Sequence, residues 1–251
     1  QNYIEDDEEY NRVVGLDYNL STPDNSWNGK FFTHKSFTPS LDSNDYSAGA
    51  ELQFNEKNWR IKAKGLYIGE NFNSDLGFIP RSDIFKIDPQ IEYLLFPKKG
   101  SVNKHNFSFI PIVIWRPEID FQLSDYNFIG KWNAELNNTS SFEASVFNRY
   151  TYLDEDFDPS GADETPLPAG TNYRYSSFEL EYRSNSRRTF FYGLETSYGE
   201  FYNGTIFTQN VNLNLRLQPN YFMSFNIRYD EINLPKPYTS NTIILLGSRF
   251  D

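Results

Sequence analysis

Charged side chains on two neighbouring segments are the first residues in this chain that could do chemistry. The basic set is Arg60, Lys62 and Lys64, and the acidic set is Asp88 and Glu92. Side chains two residues apart on a strand share a face, so the two sets would lie side by side on adjacent strands. Such a strip could guide a charged solute, or it could form ion pairs that fill a hydrated interior. We favour the ion pairs.

A second candidate is the acidic segment 154–172, whose carboxylates could bind calcium. Its acidic residues are Asp154, Glu155, Asp156, Asp158, Asp163 and Glu164. Their spacing matches no EF-hand loop, and Asp158-Pro159-Ser160-Gly161 is typical of a turn. We therefore interpret the segment as a solvated acidic loop, and we expect neither a bound metal nor a cofactor.

A third candidate is the segment 69–83, which is apolar for a connection between strands. Its apolar side chains include Leu76 and Ile79, and the residues that could contact a ligand are Phe72, Asp75, Phe78 and Arg81. Aromatic rings beside polar groups could stack on sugars, or the segment could dock on a partner. Inward packing of the segment, as a plug, is the interpretation that we favour over ligand contact.

The sequence offers no recognisable catalytic constellation. The two histidines, His34 and His105, fall on different predicted strands, and nucleophile-elbow, P-loop and HExxH patterns are absent. No pair of carboxylates has a recognisable glycosidase context. We therefore expect no enzyme. A formal net charge of −11 also argues against nucleic acid as a partner, since no basic stripe could neutralise phosphates.

The elements that must position these residues are strands with one apolar and one polar face. The clearest example is the run Val211, Leu213, Leu215 and Leu217, which alternates with polar residues. Only 38% of the residues are hydrophobic and the mean hydropathy is −0.65, yet 18% are aromatic. That combination suits a membrane barrel, in which only the outward half of each strand must be apolar. No apolar run approaches the roughly 18 residues of a spanning helix.

The alternation predicts about thirteen strands, separated by connections of alternating length. The predicted strands are 14–20, 27–37, 46–55, 59–67, 87–95, 105–115, 119–136, 142–152, 175–183, 190–198, 206–217, 221–232 and one from 242 onward. The predicted short connections are 56–57, 97–104, 137–139, 184–187 and 218–220, and the long ones are 38–45, 69–83, 154–172, 200–204 and 233–237. Pro89 and Pro111 cannot donate to a ladder, so each predicts a bulge or a strand end.

These patterns predict an all-β fold, a transmembrane antiparallel up-and-down β-barrel. Residues 1–10 are interpreted as an acidic N-terminal segment and residues 11–251 as the barrel segment. Long and short connections alternate in outer-membrane barrels because every second connection faces the outside. Bacterial single-chain barrels have even strand numbers, so an odd count predicts an incomplete part of a larger barrel.

Three stretches resemble a known family. They are Asn71 to Asp83 (NFNSDLGFIPRSD), Asn11 to Asp17 (NRVVGLD) and Gly199 to Gly204 (GEFYNG). They resemble the DUF5916 region of outer-membrane proteins from Bacteroidota, and the resemblance covers nearly the whole chain. Typical members carry an upstream domain similar to family-9 carbohydrate-binding modules, which is absent here, and further strands downstream. The family offers no catalytic residue to transfer.

The resemblance implies a location in the bacterial outer membrane, with membrane lipid as a partner. It implies a glycan-related role, in surface binding or in solute passage, with glycans as ligands. The alternative is a non-catalytic barrel subunit of a multi-component complex for transport, secretion or assembly. In that case the partners would be other outer-membrane or periplasmic proteins.

Overall fold

A computed structural model describes residues 10–39, 43–162, 164–217 and 221–250. Fourteen antiparallel strands form an up-and-down sheet in these residues, in chain order except at β5 and β6. The strands are β1 (Arg12–Ser21), β2 (Trp27–Phe37), β3 (Tyr46–Asn55), β4 (Trp59–Ile68), β5 (Ile84–Ile87), β6 (Gln90–Leu95), β7 (Val102–Arg116), β8 (Gln122–Leu136), β9 (Ser141–Tyr152), β10 (Asn172–Arg183), β11 (Phe190–Phe201), β12 (Gly204–Leu217), β13 (Tyr221–Asn233) and β14 (Asn241–Phe250). Across these residues the only helical element is a short 3₁₀ turn, Pro117–Ile119, and no helix is long and apolar enough to cross a membrane.

The fifth predicted strand is interrupted at Asp88 and Pro89. Its two halves, β5 and β6, both pair with β4 and with β7, so they act as one crossing of the sheet. Proline has no N–H to donate, which explains why the ladder breaks there, as predicted. With β5 and β6 taken together, the thirteen predicted crossings are confirmed. Pro111 lies inside β7, so the prediction of a strand end at that residue is wrong.

The pairing register gives most strands an apolar face and a polar face. Val146 on β9 opposes Phe178 on β10, which in turn opposes Tyr198 on β11. The alternate positions bring polar residues together, as where Glu181 opposes Glu143. We call the two sides the apolar face and the polar face. Because side chains alternate along each strand, one register places residues that lie two apart on the same side of the sheet.

Two compact units divide the chain, and among the described residues of each unit few apolar side chains are buried. The first comprises Gln1–Ile91 and Ile110–Tyr126, and the second comprises Glu92–Phe109 and Asn127–Asp251. On the apolar face, Leu16 of the first unit and Leu246 of the second are each 76% exposed. Among the described residues the buried hydrophobic side chains are Ile84, Leu94, Ala134, Leu153, Leu167, Tyr175 and Ile232. More of the buried residues are polar, namely Ser36, Asp45, Ser47, Asp83, Ser108, Ser124, Ser140, Ser145, Ser160, Thr208 and Asp230.

The connections follow the predicted alternation in part. Residues 56–58 and 137–140 form short connections, and residues 69–83, 153–171 and 234–240 form longer ones. The predicted turn 218–220, residues 40–42 and the acidic residues 1–9 lie outside the described residues.

Several predicted boundaries are wrong, and two of them have a clear physical reason. The predicted long connection 200–204 is a turn of only Tyr202 and Asn203, since β11 ends at Phe201 and β12 begins at Gly204. A Cβ on Gly204 would lie 2.1 Å from the carbonyl oxygen of Asn233, so this tight hairpin requires glycine there. Strand β8 begins at Gln122 rather than Ile119, because the 3₁₀ turn and two residues of positive φ precede it.

Candidate functional site

The polar face of the first unit carries a ladder of ion pairs. Lys62 Nζ lies 3.0 Å from Glu51 Oε1, and Asp88 Oδ2 lies 3.0 Å from Lys86 Nζ and 3.7 Å from Lys64 Nζ. The structure thus brings the predicted Lys62, Lys64 and Asp88 into ion pairs. Glu51 and Lys86 were missed by sequence reasoning, although the same alternation on β3 and β5 carries them.

The other two predicted members of this strip are placed as follows. Arg60 lies at the start of β4, on the same face, opposite Asn55. Glu92 lies on β6, in the second unit. A role of the strip in guiding a solute stays a prediction.

The polar face of the second unit also carries paired charges. Lys104 Nζ lies 2.6 Å from Glu135 Oε1, and Lys131 Nζ lies 2.6 Å from Glu143 Oε1. Like charges also face each other on this face, because Glu181 lies opposite both Glu143 and Glu195, so the polar face is charged and only partly neutralised by ion pairs.

The acidic connection 153–171 is folded by its own carboxylates. Asp158 Oδ1 accepts hydrogen bonds from the Ser160 backbone N–H at 2.8 Å and from the Ser160 hydroxyl at 2.6 Å, and Oδ2 accepts one from the Ala162 N–H at 3.0 Å. The hydroxyl bond lowers the pKa of Asp158, because it stabilises the ionised form. Asp156 accepts a further bond from the backbone N–H of Ala169 at 2.8 Å. The described residues hold no group of three or more side chains placed to bind a metal, and Asp163 lies outside them.

Aromatic side chains gather beside the turn between β11 and β12. The ring of Tyr202 lies 5.3 Å from that of Tyr175, 5.4 Å from that of Phe157 and 5.5 Å from that of Tyr173. Tyr175 is buried in this cluster. From the sequence, Tyr173 and Tyr175 stand out as aromatic residues near a strand end, but their clustering with Phe157 and Tyr202 was missed; Tyr202 belongs to the stretch 199–204 that resembles a known family.

The connection between β4 and β5, residues 69–83, is the most distinctive surface of the first unit, and we call it the β4–β5 loop. Its first residues continue the sheet, because Gly69 donates to the carbonyl of Tyr46 at 2.9 Å and Asn71 donates to that of Asn44 at 3.0 Å. Asn11 then holds the middle of the loop, donating to the carbonyl of Asn73 at 3.1 Å and accepting from the backbone N–H of Asp75 at 3.2 Å.

The end of the β4–β5 loop is fixed by two charged residues. Asp83 is 5% exposed, and its carboxylate accepts from Arg116 Nε at 3.1 Å and from the backbone N–H of Glu118 at 3.0 Å. Arg81 donates from Nη1 to Asp125 at 2.9 Å and from Nη2 to the buried hydroxyl of Ser124 at 2.6 Å. Charge-assisted bonds of this kind are stronger than neutral ones, so they hold the loop firmly.

The tip of the β4–β5 loop projects into solvent. A turn closed by a hydrogen bond from Gly77 to the carbonyl of Ser74, at 3.0 Å, presents Leu76 at 95% exposure and Phe78 at 90%. The prediction that the apolar side chains pack inward is therefore wrong for these two residues. Polar contacts at both ends hold the loop, so its apolar tip is not needed for packing.

The four predicted contact residues thus separate into two pairs. Phe78 and Asp75 are exposed, and Asp75 Oδ1 accepts from Asn73 Nδ2 at 3.0 Å. Phe72 is half-buried and Arg81 serves as an anchor, so they support the loop rather than present a surface. Asn11 was missed as a functional residue, although it opens the stretch 11–17 that carries the family resemblance. The two stretches 11–17 and 71–83 therefore meet at this loop.

Comparison with known proteins identifies one family. The family described as a domain of unknown function, DUF5916, matches residues 4–249. Among solved structures, a porin refined at 1.8 Å resolution matches 94% of this chain and 90% of its own, with 10% sequence identity and a TM-score of 0.48. No curated protein matches the chain significantly.

Proposed function

We propose that this chain, which belongs to the DUF5916 family, is an outer-membrane β-barrel protein of a Bacteroidota-type bacterium. The observation that carries the proposal is the exposure of the apolar face along strand after strand. Val14, Leu16 and Tyr18 on β1 are 65%, 76% and 61% exposed, and Ile244 and Leu246 on β14 are 60% and 76% exposed. Soluble monomers rarely expose contiguous apolar patches larger than a few hundred Å².

The polar face supports the same proposal. It carries the ion pairs of both units, and polar side chains outnumber apolar ones among the buried residues described. A sheet that is apolar towards one medium and polar towards the other suits a barrel with lipid outside and water inside.

Membrane insertion is tested by refolding the chain from urea into phospholipid vesicles. We expect the protein to float with the vesicles on a density gradient, to resist carbonate extraction and to migrate differently on gels before and after boiling. A folded protein that stays in the aqueous phase without detergent would contradict the proposal.

We further propose a non-catalytic, glycan-related role, either in the passage of neutral hydrophilic solutes or in surface binding. Passage is supported by the charged and polar side chains of the polar face, which would line a hydrated path. In vesicles that contain the protein, a neutral oligosaccharide such as maltohexaose should enter at a rate that Lys62→Gln leaves unchanged. A negatively charged oligosaccharide should enter more slowly in that variant, because Glu51 loses its partner. Impermeability to both solutes would refute the passage role.

The surface-binding role is supported by the exposed ring of Phe78 beside Asp75 on a firmly anchored loop. A ring held in this way can stack on the apolar face of a sugar while neighbouring polar groups bind hydroxyls. A specific observation favours the second candidate, a docking surface for a protein partner. Leu76 is 95% exposed next to Phe78, and an aliphatic side chain adds apolar area without stacking on a sugar.

Two single variants separate these roles. If the loop binds a glycan, Phe78→Ala should weaken binding of purified oligosaccharides, whereas Leu76→Ala should leave it unchanged. If the loop docks on a protein, each variant should weaken co-purification of a stoichiometric partner in mild detergent. Truncating a central apolar contact costs about 1 kcal/mol or more, which is roughly a fivefold loss of affinity. Neither variant should change stability, because both side chains are solvent-exposed, and unchanged binding in both variants would refute both roles of the loop.

A further inference from the structure

An elongated groove lies on the apolar face of the second unit. Its main part has a volume of about 870 Å³, and an adjoining part has about 320 Å³. Both parts share Gly130, Val146 and Phe178 in their lining, so they form one continuous depression.

The shape of the groove follows from residue size. Gly130 and Ala144 leave space on β8 and β9, while Phe109, Phe128 and Phe178 stand on either side. The lining runs along β9 from Asn148 to Ala144, which is about 13 Å at the usual rise of a strand. An apolar groove of this length can hold part of an extended hydrocarbon chain.

One end of the groove is polar. Asn148 Nδ2 donates to Ser176 Oγ at 2.9 Å, and the backbone N–H of Ser176 donates to Glu200 Oε2 at 2.9 Å. Arg174 is exposed on the same face of β10, two residues beyond Ser176, with its guanidinium 5.6 Å from the ring centre of Tyr150. This end therefore offers acceptors for hydroxyl groups and, about 7 Å further along the strand, a cation.

The polar end lies towards the long connection 153–171. Glu200 is two residues from Tyr202, whose ring contacts Phe157 of that connection. Long connections of outer-membrane barrels face the cell exterior. In the proposed barrel, the polar end of the groove would therefore lie at the outer leaflet.

We propose that this groove binds a phosphorylated glycolipid of the lipid A type, with one acyl chain between Phe128 and Phe178. The sugar hydroxyls would bond to Asn148 and Glu200, and a phosphate would pair with Arg174. The inference rests on the proposed function, because it requires the apolar face to meet lipid. A second copy of the chain fits less well, since the polar end would then need a complementary polar patch within an apolar contact.

The experiment uses the protein folded in a sugar-free detergent and adds lipid A, with binding measured by native mass spectrometry. The wild type should bind one lipid A per chain. Gly130→Leu should reduce binding at least tenfold, because a side chain at this position fills the groove. A Cβ added to Gly130 would already lie 3.1 Å from Val146 Cγ2. Ala144→Leu fills the same groove further along and covers the case in which Gly130→Leu does not fold. Gly65→Leu is the matched control, because it enlarges a glycine on the apolar face of the first unit.

The head group is tested separately. Arg174→Gln should weaken binding of bisphosphorylated lipid A about tenfold and leave dephosphorylated lipid A unchanged. Arg12→Gln is the control, since Arg12 also stacks on a tyrosine ring, that of Tyr10 at 4.7 Å, but lies in the first unit.

Three results would overturn the inference: equal binding of phosphatidylethanolamine, binding that is unchanged in both groove-filling variants, or a dimer that buries the groove. A protein that inserts into vesicles yet binds no lipid A refutes only this inference. A protein that fails to insert into vesicles refutes the proposed function, on which this inference rests.

Discussion

Replacing Ile227 by arginine tests the assignment of the two faces. Ile227 is the central residue of the 13 in β13, and its apolar-face neighbours are Val211 and Leu246. Six residues separate it from either strand end, which is about 20 Å along the strand. At a tilt of about 45° this corresponds to about 14 Å of depth, close to half of a hydrocarbon core of about 30 Å. Ile227 should therefore lie near the bilayer midplane.

At that depth, Ile227→Arg should reduce the free energy of unfolding by about 2–4 kcal/mol. The neighbouring Asn226 points to the polar face opposite Gly247, which leaves room for a longer side chain. We therefore expect Asn226→Arg to change stability little. Leu217 opposes Tyr221 at the end of β13, so Leu217→Arg should cost about 0–1 kcal/mol at the interface.

The assay is urea unfolding of each variant in phospholipid vesicles, followed by tryptophan fluorescence. A barrel that crosses the bilayer requires both a difference between the two faces and a dependence on depth. Equal losses at Ile227 and Asn226 would refute the assignment of the faces. Equal losses at Ile227 and Leu217 would refute the placement of Ile227 at the midplane.

Two further predictions concern groups outside the strands. Asp83→Asn should lower the free energy of unfolding by about 1.5–3 kcal/mol, because it weakens the buried charged hydrogen bond to Arg116. In the same urea titration, Asp75→Asn should cost much less, because Asp75 is exposed. Equal losses would contradict the anchoring role of Asp83. The lowered pKa of Asp158 means that its contribution to loop order is present above its ordinary value of 3.8 and is lost as pH falls through its lower folded value. An NMR titration of the Asp158 carboxyl group should give a midpoint below pH 3.8, and Ser160→Ala should raise that midpoint. A wild-type midpoint at or above pH 3.8 would show that the hydrogen bonds to Asp158 are absent in solution.

The strands could be predicted because one local rule determines them. The bounds of β2 and β3 agree with the predicted 27–37 and 46–55 to the residue, since alternation ends there at polar or turn-forming residues. Alternation misplaces a strand boundary where apolar residues outside the strand continue the pattern. Ile119 continues an apolar pattern, yet Asp120 and Phe121 adopt positive φ, which alternation cannot reveal.

The candidate site could be located from the sequence, but its shape could not. Apolar residues marked the β4–β5 loop as unusual, and they also suggested inward packing, which is wrong for Leu76 and Phe78. Their direction is set by contacts far away in the chain, such as that between Asn11 and Asn73, 62 residues apart. Pairing across such distances depends on the register of whole strands, and one segment of sequence does not contain that information. The pairing of Glu51 with Lys62 depends on register in the same way.

The β4–β5 loop separates the residues that fold it from those that it displays. Asp83, Arg81 and Asn11 carry its stability, while Leu76 and Phe78 contribute almost nothing to internal packing. Substitutions at the two displayed positions can therefore change what the loop contacts without loss of the scaffold. Related chains could keep the three stabilising residues and acquire new binding specificities by exchanging only the two displayed side chains.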